Sequence, residues 1–156
     1  MKKWVSLCLV LVLLAFSASS AMALEFSFWN GFTGSDGEIL TEIVNRYNET
    51  NERGDVIKMD IIPWANFNEQ LPPAIATGNA PELVAFNNDM LTSYQGTGSI
   101  EPMDDFFEKT GLDRSNFSEA VLDMLTLDGQ LWQVPMQAYG YYLYWNKDLF
   151  TAAGSW

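Results

Sequence analysis

A chain of 156 residues with 20 acidic against eight basic side chains carries a net charge of −12, so it repels phosphate backbones and nucleic acid is not an expected partner. It contains no histidine, which removes the commonest general base and zinc ligand and makes a Ser-His-Asp triad impossible within it. The length suits one small domain.

The N-terminus reads as an export signal. Met1-Lys2-Lys3 is positive, Val5 to Phe16 is almost wholly apolar, and small residues lead to Ala21-Met22-Ala23. That order of charge, apolar core and Ala-x-Ala predicts a signal peptide over 1–23, cleaved after Ala23. An uncleaved anchor is the alternative, but the apolar run falls short of the roughly 20 residues a membrane span needs. Cys8, the single cysteine, lies inside the apolar core and away from the cleavage point. No lipid anchor is therefore expected, and 24–156 would be free of disulfide and thiol chemistry. Removing Lys2 and Lys3 from the eight basic residues leaves six against 20 acidic ones.

Leu24 to Trp29 predicts a first strand, followed by the glycine-bracketed loop Asn30 to Gly34. Ser35 with Glu38 matches a capping box. Ile39, Leu40, Ile43, Val44 and Tyr47 then form one apolar helical face ending near Glu52. Val56 to Ile62 is β-branched and alternating, a second strand. Pro63 to Asn66 turns the chain, and Asn66 with Glu69 could cap a helix that Pro72 and Pro73 interrupt. Glu82 to Phe86 reads as a buried strand, and Met90 to Gln95 as helical. Asn116 is expected to cap a helix carrying Phe117, Val121, Leu122 and Leu125. Asp128-Gly129 is a two-residue hairpin turn, Gly140 to Asn146 reads as a strand, and a helix or turn opens at Leu149. The β-α-β-α-β order predicts an α/β layer with mainly parallel strands flanked by helices.

In such sheets ligands bind beyond the carboxyl ends of the strands. Those ends offer Asn30, Phe32 and Thr33, then Trp64, then Asn87, Asn88 and Asp89, and after the hairpin Gln137 and Tyr139. Amides, hydroxyls and a carboxylate beside large rings suit sugars, whose hydroxyls donate and accept and whose C–H faces lie on aromatic rings. Trp64 and Tyr139 are the expected stacking platforms and Asp89 the bidentate acceptor. Plainer readings stand beside this one. Phe28 and Trp29 could pack the core, and Asn87-Asn88-Asp89 could be only a helix cap. Half of Tyr141, Tyr142, Tyr144 and Trp145 should pack inward. Asp104, Asp105 and Glu108 suit a solvated face. The sequons at Asn48 and Asn116 carry little weight.

Four segments resemble the family 1 extracellular solute-binding proteins of ABC importers, the group that contains maltose-binding protein. They are Phe28 to Gly34, Ala76 to Val84, Gly129 to Pro135 and Tyr144 to Phe150. The resemblance implies a type II periplasmic-binding-protein-like lobe over 24–156. It implies a sugar or oligosaccharide ligand, a membrane permease as partner, a monomeric state at full length and a periplasmic location. No bond chemistry, cofactor or metal is implied. Asp89 falls where family members place a sugar-binding carboxylate, whereas Tyr139 replaces a glutamate and Trp145 a tyrosine. Family members are about twice this length or more, so the resemblance implies a truncated product or fragment whose second lobe is missing. Two alternatives remain open. Another solute, such as glycerol phosphate, would favour Arg or Lys at the strand ends. A carbohydrate-active enzyme fragment would need a second carboxylate facing Asp89.

Overall fold

The computed structural model describes residues 22–137, 139–140 and 142–154. The expected signal peptide, up to residue 21, lies outside the described residues. The chain divides into two compact units, Met1–Phe86 and Asn87–Trp156.

The first unit is built around one central strand. β1 (Glu25–Asn30) pairs in parallel with β2 (Val56–Ile61), in register from Glu25↔Val56 to Asn30↔Ile61. On its other side β1 pairs in parallel with β3 (Leu83–Val84), through Phe28↔Leu83 and Trp29↔Val84. The order is β2-β1-β3. Parallel neighbours cannot be joined by tight turns, so each crossover carries a helix: α1 (Ser35–Thr50) between β1 and β2, and α2 (Trp64–Ala76) between β2 and β3. The expected β-α-β-α-β order is therefore present.

The core joins Phe28 of β1, Leu40 and Val44 of α1 and Ala85 after β3, with Phe32, Ile57 and Met59 packed against them. Each large apolar side chain buried there contributes about 1.5–3 kcal/mol. The apolar stripe on α1 is wider than this core. Leu40 and Val44 are buried, whereas Ile39, Ile43 and Tyr47 are exposed.

Side chains fix the sheet where backbone pairing runs out. β2 is an edge strand of the described sheet, and near its start the outward backbone groups of Ile57 are covered by Asn48 of α1. The Asn48 amide donates to the Ile57 carbonyl at 2.9 Å and accepts from the Ile57 amide at 2.8 Å. That bidentate contact blunts the edge and occupies the nitrogen a glycan would need. At the start of β3, Glu82 Oε2 accepts from the Ser27 hydroxyl at 2.6 Å and the Ser27 amide at 2.8 Å. These hydrogen bonds, the hydroxyl's first, hold the Glu82 carboxyl below its ordinary range.

Several local expectations are corrected. Ser35 is not a cap: it is the first helical residue, Gly34 occupies the cap position, and no side chain caps it. Asp36 and Glu38 in the first turn instead place negative charge at the positive end of the helix dipole. Asn66 does not cap α2 either, and Pro72 and Pro73 lie inside the continuous helix. Proline removes the donors that would reach the carbonyls of Asn68 and Glu69, but both are exposed residues, where water can serve. Phe67 and Leu71 are buried along the same helix, which favours keeping it intact.

The second unit is made of short pieces. A 3-10 turn (Asn88–Met90) leads into α3 (Leu91–Gly96), and α4 (Phe106–Thr110) is followed by a second 3-10 turn (Arg114–Asn116). α5 (Glu119–Met124), the hairpin β4 (Thr126–Leu127) and β5 (Gln130–Leu131), and α6 (Lys147–Ala152) complete it. The hairpin forms as expected, with Asp128 at φ 53° and Gly129 at φ 80°, both central residues in the left-handed region that a type I′ turn requires. Asn116 does not cap α5. Asp113 caps the preceding 3-10 turn, accepting from the Ser115 amide, and Ser118 precedes α5 without a side-chain bond. Asp104 belongs to more than a solvated face, since its Oδ1 accepts the Leu131 amide at 2.9 Å and so holds β5. Phe107 meets Phe106 and Phe117 edge-on, with the Arg114 guanidinium 5.5 Å from its ring centre.

The strand expected from Gly140 to Asn146 is absent among the described residues; Tyr141 lies outside them. Tyr142 and Tyr144 are 76% and 89% exposed. An alternating segment sorts its faces only when a partner strand and a core fix it, and the described residues of this one form no strand. Its end is ordered by the Asn146 side chain, which accepts from the Leu149 amide and caps α6.

Two outcomes test these clamps. Replacing Asn48 by Ala should cost about 1–3 kcal/mol in urea unfolding, because two backbone groups of Ile57 lose their partners; a change within about 0.5 kcal/mol, the usual range for a surface substitution, would contradict the clamp. The Glu82 contribution is present above the ordinary carboxylate pKa and is lost as pH falls through its lowered folded value. Ser27→Ala should therefore lower the melting temperature at pH 7, with the gap to wild type closing in acid. A gap independent of pH would contradict it.

Candidate ligand-binding site

The residues read from the sequence as ligand contacts fall into two groups, one in each unit. In the first unit the parallel strands present their carboxyl ends on one edge. β1 ends at Asn30, which is 0% exposed. Its backbone carbonyl accepts the Ile62 amide at 2.8 Å, tying the exits of β1 and β2 together. Its side-chain oxygen accepts the Phe32 amide at 3.1 Å and folds the loop back on itself. The side-chain nitrogen is buried and makes no hydrogen bond among the described residues.

The loop that follows is set by close approach. A Cβ on Gly31 would lie 2.2 Å from Trp64 Cδ2 and 2.4 Å from Cε2, so the indole rests directly on the glycine backbone. A Cβ on Gly37, in the first turn of α1, would lie 1.9 Å from the Phe32 carbonyl oxygen. Trp64 also meets Phe32 edge-on, with centroids 5.6 Å apart, and Phe67 at 5.2 Å. Asn30, Phe32 and Trp64 are thus brought together, while Thr33 stands exposed at the loop tip. Trp64 is half-buried, and the ring atoms over Gly31 are closed to any ligand. It is therefore a wall of the loop first, and only its remaining surface could meet a sugar.

In the second unit Asn87 and Tyr139 meet. The Tyr139 hydroxyl donates to Asn87 Oδ1 at 3.0 Å. Asn87 occupies the position before the 3-10 turn but makes no side-chain capping bond. Its amide is thus engaged with an aromatic hydroxyl rather than with the backbone. Asn88 and Asp89 lie in the turn itself, exposed, and Gln137 is exposed beside Ala138, which lies outside the described residues. An exposed amide paired with a phenol, close in sequence to an exposed carboxylate, offers donors and acceptors with an apolar ring alongside. Among the described residues no group of three or more Cys, Asp or Glu side chains could hold a metal ion.

The sequence reading missed Gly31 and Gly37 as structural requirements of the site. The signal was present as two glycines bracketing an aromatic loop and a helix start. Which aromatic ring would lie on Gly31, however, depends on the β2 exit 33 residues later.

Comparison with known proteins places this geometry. The family model described as bacterial extracellular solute-binding protein matches residues 33–156. The sn-glycerol-3-phosphate-binding periplasmic protein UgpB of Salmonella paratyphi A is 26% identical over 148 residues, covering 90% of this chain and 33% of its own length. Mannotriose-bound CpMnBP1 has a TM-score of 0.65 at 27% identity, covering 84% of this chain and 33% of its own. The sugar-binding protein MalE of Xanthomonas citri has a TM-score of 0.65 at 24% identity, over 71% of this chain and 28% of its own. The chain thus spans about a third of the length of the relatives it matches. Its parallel sheet flanked by helices is that of a type II periplasmic-binding-protein-like fold, and the chain belongs to the bacterial extracellular solute-binding protein family.

Proposed function

We propose that the chain is the N-terminal part of the substrate-binding component of an ABC importer, and that it captures a sugar or oligosaccharide outside the inner membrane for delivery to a permease. The observation that carries this reading is the exposed Asn87–Tyr139 pair beside Asp89. Amide, phenol and carboxylate match the alternating donors and acceptors of a sugar edge, and the Tyr139 ring can lie on its C–H face. In the first unit, taken by itself, Asn30, Phe32, Thr33 and Trp64 shape the loop at the β1 exit. Mannotriose on CpMnBP1, a protein 27% identical to this chain, supports the same ligand class.

Export by the N-terminal signal peptide, cleaved after Ala23, accounts for the location. The protein works by capture, without making or breaking bonds, and the contacts of the remaining two thirds complete the site. A second reading, glycerol phosphate, is favoured by UgpB, which matches over 90% of this chain. It requires cations to meet the phosphate, and none of the nine candidate residues here is Lys or Arg.

Calorimetry on the full-length protein with mannotriose, maltotriose and sn-glycerol-3-phosphate distinguishes the two. The sugar reading expects binding of an oligosaccharide, weakened about tenfold or more by Asp89→Asn, since a hydrogen bond to a charged group contributes about 1.5–3 kcal/mol. Binding of glycerol phosphate alone would overturn it. Turnover of a chromogenic glycoside would overturn capture itself.

A further inference from the structure

The corner where β1 begins holds an ionisable group that the ligand site does not use. Asp55 is 3% exposed, the one charged residue buried among those described. Its backbone is fixed from both sides by the Asn51 amide, which donates to the Asp55 carbonyl at 2.8 Å and accepts from the Asp55 amide at 2.8 Å. Its carboxylate is divided between two partners. Oδ2 faces Arg53 Nε at 3.1 Å, and Oδ1 accepts the backbone N–H of Leu24 at 2.9 Å. Leu24 in turn accepts the Val56 amide through its carbonyl at 2.8 Å, the first rung between β1 and β2. Ala23 lies against the same corner, its Cβ 3.7 Å from where a Cβ on Gly54 would be.

We propose that Asp55 is the receptor for the processed N-terminus: cleavage between Ala23 and Leu24 converts the neutral Leu24 amide into an α-ammonium that forms an ion pair with Asp55 Oδ1. In the cleavage, water attacks the Ala23 carbonyl carbon and the C–N bond breaks. Ala23 leaves as a carboxylate, and Leu24 nitrogen takes up the two protons that the attacking water gives up and becomes –NH3+. A buried carboxylate spending one oxygen on a neutral amide then gains a full positive charge at the same place, without any movement of the chain. The two further protons of the ammonium remain hydrated, because Leu24 itself is exposed. The Ala-x-Ala signal ends at Ala23, and the Asp55 carboxylate accepts from the next nitrogen.

The groups around the ammonium act in opposite directions. Asp55 favours its charged form and the Arg53 guanidinium opposes it, at the far oxygen of the same carboxylate. Glu25, the next residue, is neutralised by Lys58 at 2.6 Å. The Asp55 contact is the nearest, so the α-amine should titrate above the ordinary value of about 7.7–8.0. This inference is independent of which ligand the protein binds.

The test is made on the exported protein, expressed with its own leader. Mass spectrometry should find Leu24 as the first residue. Competitive labelling of the α-amine with acetic anhydride across pH 6–10 should then give a pKa about one unit or more above the ordinary value. A chain released to begin at Ala23 keeps Leu24 nitrogen as an amide, and its α-amine should titrate in the ordinary range, as should that of Asp55→Asn. Cleavage at another bond, or an ordinary pKa for the Leu24 amine with Asp55 intact, would overturn the assignment. Should Asp55→Asn fail to fold, the chain beginning at Ala23 still decides.

Discussion

The carboxyl edge of the first unit depends on one close approach, the seating of the Trp64 indole on the backbone of Gly31. β1 can run to Asn30 with full burial only because the next residue has no side chain to push the ring away. From that contact follow the tie between Asn30 and Ile62, the fold-back of Phe32 onto Asn30, and the edge-on packing of Phe32 against Trp64. The loop reaches α1 in the same manner, since Gly37 lets the Phe32 carbonyl come within a distance no Cβ would allow. A rigid loop costs less ordering entropy when a ligand arrives. Packing at the end of a strand thereby sets the shape of the loop that the proposed function would use.

Much of this was legible in the sequence, and the parts that were not share a cause. β1, β2, α1 and the Asp128-Gly129 hairpin carry their signals locally, in alternation, helical periodicity and turn chemistry, and each forms within a residue or two of its expected bounds. The failures are choices settled by neighbours. Ser35 lost the cap to Gly34, and α2 kept Pro72 and Pro73 because the carbonyls they orphan belong to exposed residues. Residues 140–146 alternate like a strand, but no strand is formed by the described residues among them. Of the candidate site, residue types and loop positions were readable in advance. That Tyr139 would bond Asn87, and that Trp64 would be partly spent on Gly31, were not, because each depends on segments distant in sequence.

The acidic composition finds local uses besides solubility. Glu82 staples β3 to β1, Asp104 holds β5, and Asp55 anchors the start of β1. None of these carboxylates lies among the candidate ligand contacts, which leaves Asp89 as the one carboxylate in that set. The proposed capture role calls for this division. Groups that fix the scaffold must be satisfied internally, while groups that meet a ligand must stand ready to exchange water for sugar. In the proposed function the exposed Asn87–Tyr139 pair and Asp89 are assigned to the second class.

The central claim is that the Gly31–Trp64 contact sets the ligand loop. It is tested most directly by Gly31→Ala in the full-length protein, reading melting temperature and oligosaccharide affinity together. A methyl group placed 2.2 Å from the indole must displace Trp64 or the loop. The account therefore expects a lower melting temperature, by several degrees for an overpacking cost of about 1–3 kcal/mol, and at least tenfold weaker binding. Unchanged stability and affinity would show that the ring does not rest on Gly31, and the account of the site would fail with it.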